Sequence, residues 1–254
     1  MKKLVVIGLI FMMLLVVSAC SGEGGSLGSD GKFDIVESAY LVDKDSGDYS
    51  VVVIVENNTG STIKEALCLE TGFDENGKKL NSGGIHAAAS FAWISDGEKE
   101  AYMYTTADVP DLNILEHYEA LPDKLEWKVT EAKADHDLTP LGISIGECSM
   151  VEDYDEGADY EITIRNDSET DYHYDAQSMY YQTDVMDFNF EVVAVFRDSE
   201  GNLRDAVMMN PRPNLQKDLP AGSETNMTFY SNHVCRDEDL TPEYYLCISN
   251  YELH

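Results

Sequence analysis

The chain has 254 residues and a formal charge of −31, from 48 Asp and Glu against 17 Lys and Arg. Hydrophobic residues make up 43%, which supports folded domains and excludes disorder throughout. Nucleic acid is excluded as a partner, because neutralising phosphates takes clustered Lys and Arg that are missing here.

Met1-Lys2-Lys3 is a short basic start, and residues 4–17 form an apolar run broken only by Gly8. That length suits the core of an export signal better than a membrane span of about twenty residues. The run ends in Val17-Ser18-Ala19-Cys20, small residues directly before a cysteine. Here the chain resembles a bacterial lipoprotein precursor. The resemblance implies a signal peptide over 1–19 and lipidation of Cys20, which becomes the new N-terminus. It also implies an extracytoplasmic chain anchored in the cell membrane by its acyl chains. Removal of 1–19 takes away Lys2 and Lys3, so the charge falls from −31 to −33. Residues 20–32 are rich in Gly and Ser and read as a flexible tether, with the folded part beginning near Phe33.

Four features then recur in the same order in two halves. Tyr49-Ser50-Val51-Val52-Val53-Ile54-Val55-Glu56-Asn57 and Tyr160-Glu161-Ile162-Thr163-Ile164-Arg165-Asn166 both read as strands ending at Asn. Val53 and Val55 match Ile162 and Ile164 as inward positions, and each Asn can bond its own backbone and accept positive φ where the strand stops. Next come Phe73-Asp74-Glu75-Asn76-Gly77 and Phe196-Arg197-Asp198-Ser199-Glu200-Gly201, strands running into Asp-x-x-Gly turns. Asp96-Gly97 and Pro220-Ala221-Gly222 then lead into further strands. Strands beginning at Pro122 and Pro242 close each half.

Short strands between turn signals predict an all-β chain of two tandem immunoglobulin-like β-sandwich domains, over 33–134 and 141–254, with a linker at 135–140. The order of strand, Asn turn, strand and Asp-x-x-Gly hairpin resembles the FxLYD-type immunoglobulin-like domains of bacterial lipoproteins. Phe73-Asp74-Glu75-Asn76-Gly77 keeps that motif's aromatic, Asp and turn Gly, whereas the second copy inserts Arg197. One short helix is expected over 108–120, with Asp111 as cap and Leu112, Leu115 and Tyr118 on one face.

The second half carries an insertion around 171–184, rich in Tyr. Tyr brings large contact area at low entropy cost, which makes Tyr172, Tyr174, Tyr180 and Tyr181 the candidate partner-binding residues. If the segment pairs as strands, the same rings pack across a sheet instead, their commoner use in β-rich proteins.

Four cysteines remain beyond Cys20: Cys68, Cys148, Cys235 and Cys247. An oxidising compartment permits disulfides among them, first Cys235 with Cys247, which flank a turn at Thr241-Pro242, or else Cys148 with Cys247. Cys68 then reads as a buried thiol. The six histidines show no metal spacing, and no motif supplies a nucleophile with its base. Asp43-Lys44-Asp45-Ser46-Gly47-Asp48 begins like a calcium loop but places Gly where an oxygen ligand belongs. Residues 152–156 read as a charged edge that discourages strand-to-strand aggregation.

No cofactor or metal is expected. The chain reads as a non-catalytic, membrane-anchored binding module for a protein or envelope component. A calcium- or small-ligand-binding accessory protein is the alternative, and an envelope hydrolase a further one.

Overall fold

The structure, a computed structural model, describes residues 32–42, 49–80, 88–105, 122–155, 157–183 and 186–253. Cys20, the segment 43–48 that begins like a calcium loop and the helix expected over 108–120 lie outside the described residues. The chain is all-β, as expected. The first half contains β1 (Phe33–Val42), β2 (Tyr49–Asn57), β3 (Thr62–Phe73), β4 (Ala88–Ile94), β5 (Lys99–Thr105) and β6 (Lys124–Asp135). The second contains β7 (Ile143–Tyr154), β8 (Gly157–Asn166), β9 (His173–Asp175), β10 (Tyr180–Gln182), β11 (Met186–Arg197), β12 (Leu203–Pro211), β13 (Ser223–Ser231) and β14 (Thr241–Leu253).

In the first half the sheet β1-β2-β5 faces the sheet β4-β3-β6, and Val53, Val55, Ile63, Cys68 and Phe91 are buried between them. The second half repeats the ladders: β7 on β8, β8 on β13, β11 on β12 and on β14. These match β1 on β2, β2 on β5, β3 on β4 and on β6. Strand β12 pairs with β13 through Asn210 and Pro211, which joins the sheets of the second half into one continuous path.

The repeated turns reuse the same bonds. Asn57 donates through Nδ2 to the carbonyls of Ser61 (2.7 Å) and Ile94 (2.8 Å), and its Oδ1 accepts from the backbone and hydroxyl of Thr59. Asn166 donates to Thr170 (2.8 Å) and Leu219 (2.9 Å) and accepts from Ser168 in the same way. Both asparagines are fully buried, and each amide ties a strand end to the opposite side of its half. Neither adopts the expected positive φ, so their role rests on hydrogen bonding alone. The Asp74 carboxylate accepts the N–H groups of Asn76 and Lys78, and Asp198 those of Glu200 and Asn202. Gly77 and Gly201 supply the positive φ, at 74° and 84°, that closes each turn.

The halves do not hang from a free linker. Val52 and Ile54 of β2, with Ala101 and Met103 of β5, pack against Val193 and Val195 of β11, Ala206 of β12 and Tyr245 of β14. The result is four stacked sheet layers with three apolar interfaces. Each fully buried Val or Ile contributes roughly 1.5–3 kcal/mol over an exposed one, so this seam is a core in its own right. Arg197, the residue that departs from the motif, crosses the seam: its guanidinium grips Glu37 with two bonds (2.9 and 2.6 Å) and reaches Glu243 at 3.0 Å. The connector is tied down as well, with His136 bonded to the Ser61 hydroxyl and the Thr139 carbonyl accepting from the Trp93 indole at 3.2 Å.

Trp93 is the plug of this arrangement. Phe91 and Ile94 belong to the core of the first half, while Ala92 and Trp93 join that of the second. The β3–β4 ladder pairs Glu65 with Ala92 and Ile63 with Ile94 but skips the step between, where Trp93 takes φ 61°. A bulky side chain rarely adopts that conformation, and here it turns the indole out of its own sandwich and into its neighbour.

Candidate functional site

The Tyr-rich insertion forms the β9–β10 hairpin and delivers its rings to the core. Tyr172 is 5% exposed, meets Phe188 edge-on at 5.2 Å, and donates its hydroxyl to the Leu141 carbonyl at 2.8 Å. Tyr181 is 1% exposed and stacks on Phe188 (5.4 Å) and Phe190 (5.3 Å). Its hydroxyl lies 3.1 Å from Gln216 Oε1 and 3.0 Å from Met227 Sδ. Tyr174 is half-buried against Tyr181 and Tyr180 is partly exposed. The expectation of a recognition surface is therefore overturned for Tyr172 and Tyr181, because the β9–β10–β11 ladder carries Tyr181 inward and a bridge to Leu219 just before β9 does the same for Tyr172, where their apolar area contributes more than it could in water. The large apolar side chain that the hairpin shows to solvent is Met179 at its tip, 51% exposed with φ 63°.

All four described cysteines are free thiols, so the expected Cys235–Cys247 bridge is not formed. The physical reason is direction: Cys247 points from β14 into the seam beside Glu100, whereas the Cys235 thiol meets the Asp205 carboxylate. Cys148, the other partner considered for Cys247, faces the Tyr244 hydroxyl. Cys68 is a fully buried thiol, as expected. Burial pushes Cys68 up to about 12 and Cys148 and Cys235 up to about 11.

His233 stands two residues before Cys235 in the sequence, and the fold brings both to Asp205. His233 Nε2 lies 3.0 Å from Asp205 Oδ1. Burial raises Asp205, but the His233 imidazole, the Ala206 N–H and the Cys235 thiol together outweigh it and hold the carboxyl below its ordinary value. The thiol bonds to a carboxylate rather than to an imidazole, which disfavours the thiolate a nucleophile requires. Among the described residues no His, Cys, Asp and Glu are grouped so as to hold a metal ion.

Two places carry chemistry that sequence reading missed. The first is in the seam. Glu100 of β5 is 3% exposed; its Oε1 accepts the Ile248 N–H at 2.6 Å, while Oε2 finds only the weak Cys247 donor beside it. Glu191 stands opposite Cys247 on the β11–β14 ladder. Burial pushes both carboxyls above their ordinary value, Glu100 well above it, with Glu98 adding to the effect on Glu100. A cleft of about 220 Å³ opens nearby, walled by Trp93, Ile143, Tyr244 and Leu246.

The second is a surface groove of about 550 Å³ between the end of β7 and a 3-10 turn at Pro213–Leu215. Tyr154 and Tyr230 stand in its walls with Arg212 and Leu215. Arg212 lies over the Tyr230 ring, 4.7 Å from its centroid, and grips Asp159 at 2.5 Å. Asp159 also accepts the Tyr154 hydroxyl at 3.1 Å, so one carboxylate fixes the guanidinium and one of the two aromatic walls. Exposed Tyr154 and Leu215 continue into exposed Met150 and Val151 on β7. Tyr and Arg held in place in a groove are residues enriched at protein interfaces.

No protein-family model matches the chain, and no curated protein matches it.

Proposed function

We propose that the chain is a lipid-anchored, non-catalytic binding protein of the extracytoplasmic face, built from two immunoglobulin-like modules. The observation that carries the reading is Val17-Ser18-Ala19-Cys20, placed directly after a short apolar run and before a Gly- and Ser-rich tether. Supporting it, the large exposed apolar side chains lie mostly in the second half, as Met150, Val151, Tyr154, Met179 and Leu215. The charge of −31 repels anionic head groups, so it holds the body off the membrane and favours cationic partners. Cys20→Ser tests the anchoring half of this reading. In the native host the variant should leave the detergent-extracted membrane fraction and take up no labelled fatty acid. Retention of label or of membrane association by the variant would refute the anchor.

A further inference from the structure

The reading of the chain as a binding protein leaves open what it binds and where. The groove beside β7 carries an answer, because its walls are already fixed by Asp159, Arg212 and Tyr230 before any ligand arrives. Side chains held in place lose little entropy on binding, which is the usual cost that prevents exposed aromatics from acting as anchors. Tyr154 is 39% exposed and Leu215 50%, so an apolar side chain entering between them would be covered on two sides.

The occupant follows from charge and strand geometry. Glu147, Glu152, Asp153 and Asp155 are exposed along β7 and its end. Asp153 is paired with Arg236, whereas Glu147, Glu152 and Asp155 form no salt bridge among the described residues. A second copy of this chain would bring the same acids against them and is disfavoured by like charge. Strand β7 also has register breaks between Ile145 and Cys148 and between Met150 and Glu152, and such bulges resist a long continuous strand added at the edge. What fits is a short extended stretch that places apolar side chains in the groove and cations against the acids beside it. We propose that this patch is the docking site for an extended segment of another protein that carries Lys or Arg between apolar residues.

The test uses the detergent-solubilised full chain and a short synthetic peptide alternating Lys and Val, with a Glu and Val peptide and an oligolysine as controls. At physiological salt the Lys and Val peptide should slow hydrogen exchange within 148–155 and 212–216, and neither control should do so there. Tyr154→Ala and Leu215→Ala should each weaken its binding roughly tenfold, the loss typical of an interface anchor, with the melting temperature unchanged. Protection spread evenly over the acidic surface, protection by oligolysine equal to that by the Lys and Val peptide, or unaltered binding in both variants would overturn the proposal. The anchor reading fails separately: it stands or falls on acylation of Cys20, which this experiment does not touch.

Discussion

Trp93→Ala should lower the stability of the chain by about 3–5 kcal/mol, the range for truncating a buried aromatic to Ala, and should do so in both halves at once. The indole is 7% exposed, sits in the core cluster of the second half, and is carried by a strand of the first. Its removal opens a cavity at the place where the sandwiches join and leaves the Thr139 carbonyl without the indole donor. Hydrogen exchange should therefore quicken in β3 and β4 and also in β7 and β8. A second variant separates packing from backbone strain. At φ 61° an Ala pays the steric cost of the left-handed region and a Gly, with no Cβ, does not, so Trp93→Gly should recover about 1 kcal/mol relative to Trp93→Ala. If Gly is the worse of the two, the strained backbone is not what the structure shows. If exchange changes only in the first half, Trp93 is not a plug.

Glu100 should make the chain less stable as pH rises. Burial holds its carboxyl well above its ordinary value near 4.5 in the folded seam, whereas in the unfolded chain it is free to ionise at that value. The sign follows directly. Below that value both states are protonated and the group contributes nothing to pH dependence. Above it the unfolded chain ionises first, and stability declines by about 1.4 kcal/mol per pH unit until the folded-state value is reached. Glu191, also raised by burial, adds to the trend. Carboxyls held low in the fold, such as Asp218 with its Tyr174 N–H and Asp205 with His233, act in the opposite direction at acid pH, so the comparison must be with a variant. Glu100→Gln keeps an acceptor for the Ile248 N–H and cannot ionise. It should match the parent in acid and exceed it at neutral pH, by an amount that grows between the two. Glu100→Ala leaves that buried N–H unpaired and should cost about 1–3 kcal/mol even in acid. Denaturant titrations across pH check both, and parallel curves for the parent and Glu100→Gln would show that Glu100 is not held neutral.

Local chemistry was the legible part of this chain. Strand ends at Asn57 and Asn166 and turns at Asp74 and Asp198 are written in a few adjacent residues, and each was found where the pattern placed it. The stacking of the halves was readable in principle and was missed. Val51 to Val55 and Val192 to Val195 are uninterrupted apolar runs, and a strand apolar at every position is buried on both faces, not one. Reading only Val53 and Val55 as inward left Val52 and Ile54 without a partner, and those are the residues that meet the second half.

Other features had no local signal. Nothing near Trp93 announces a positive φ, because the conformation is imposed by the two cores competing for the ring. Glu100 looks like any of the chain's 48 acids until β14 covers it. The tyrosines of the insertion were ambiguous by nature: Tyr serves cores and interfaces through the same apolar area, and only the pairing of β9 with β10 decides between them. Arg197 read as a blemish in a motif and proved to be the bridge to Glu37. The groove at Tyr154 joins residues more than fifty positions apart, such as Asp159 and Arg212, which no spacing rule connects.

Calorimetric unfolding of the chain tests the stacked body most directly. Because the seam is a core shared by both halves, heat should melt them in one transition whose calorimetric and van't Hoff enthalpies agree. Two resolved transitions, each insensitive to Trp93→Ala in the other half, would mean that the sandwiches fold apart and only touch.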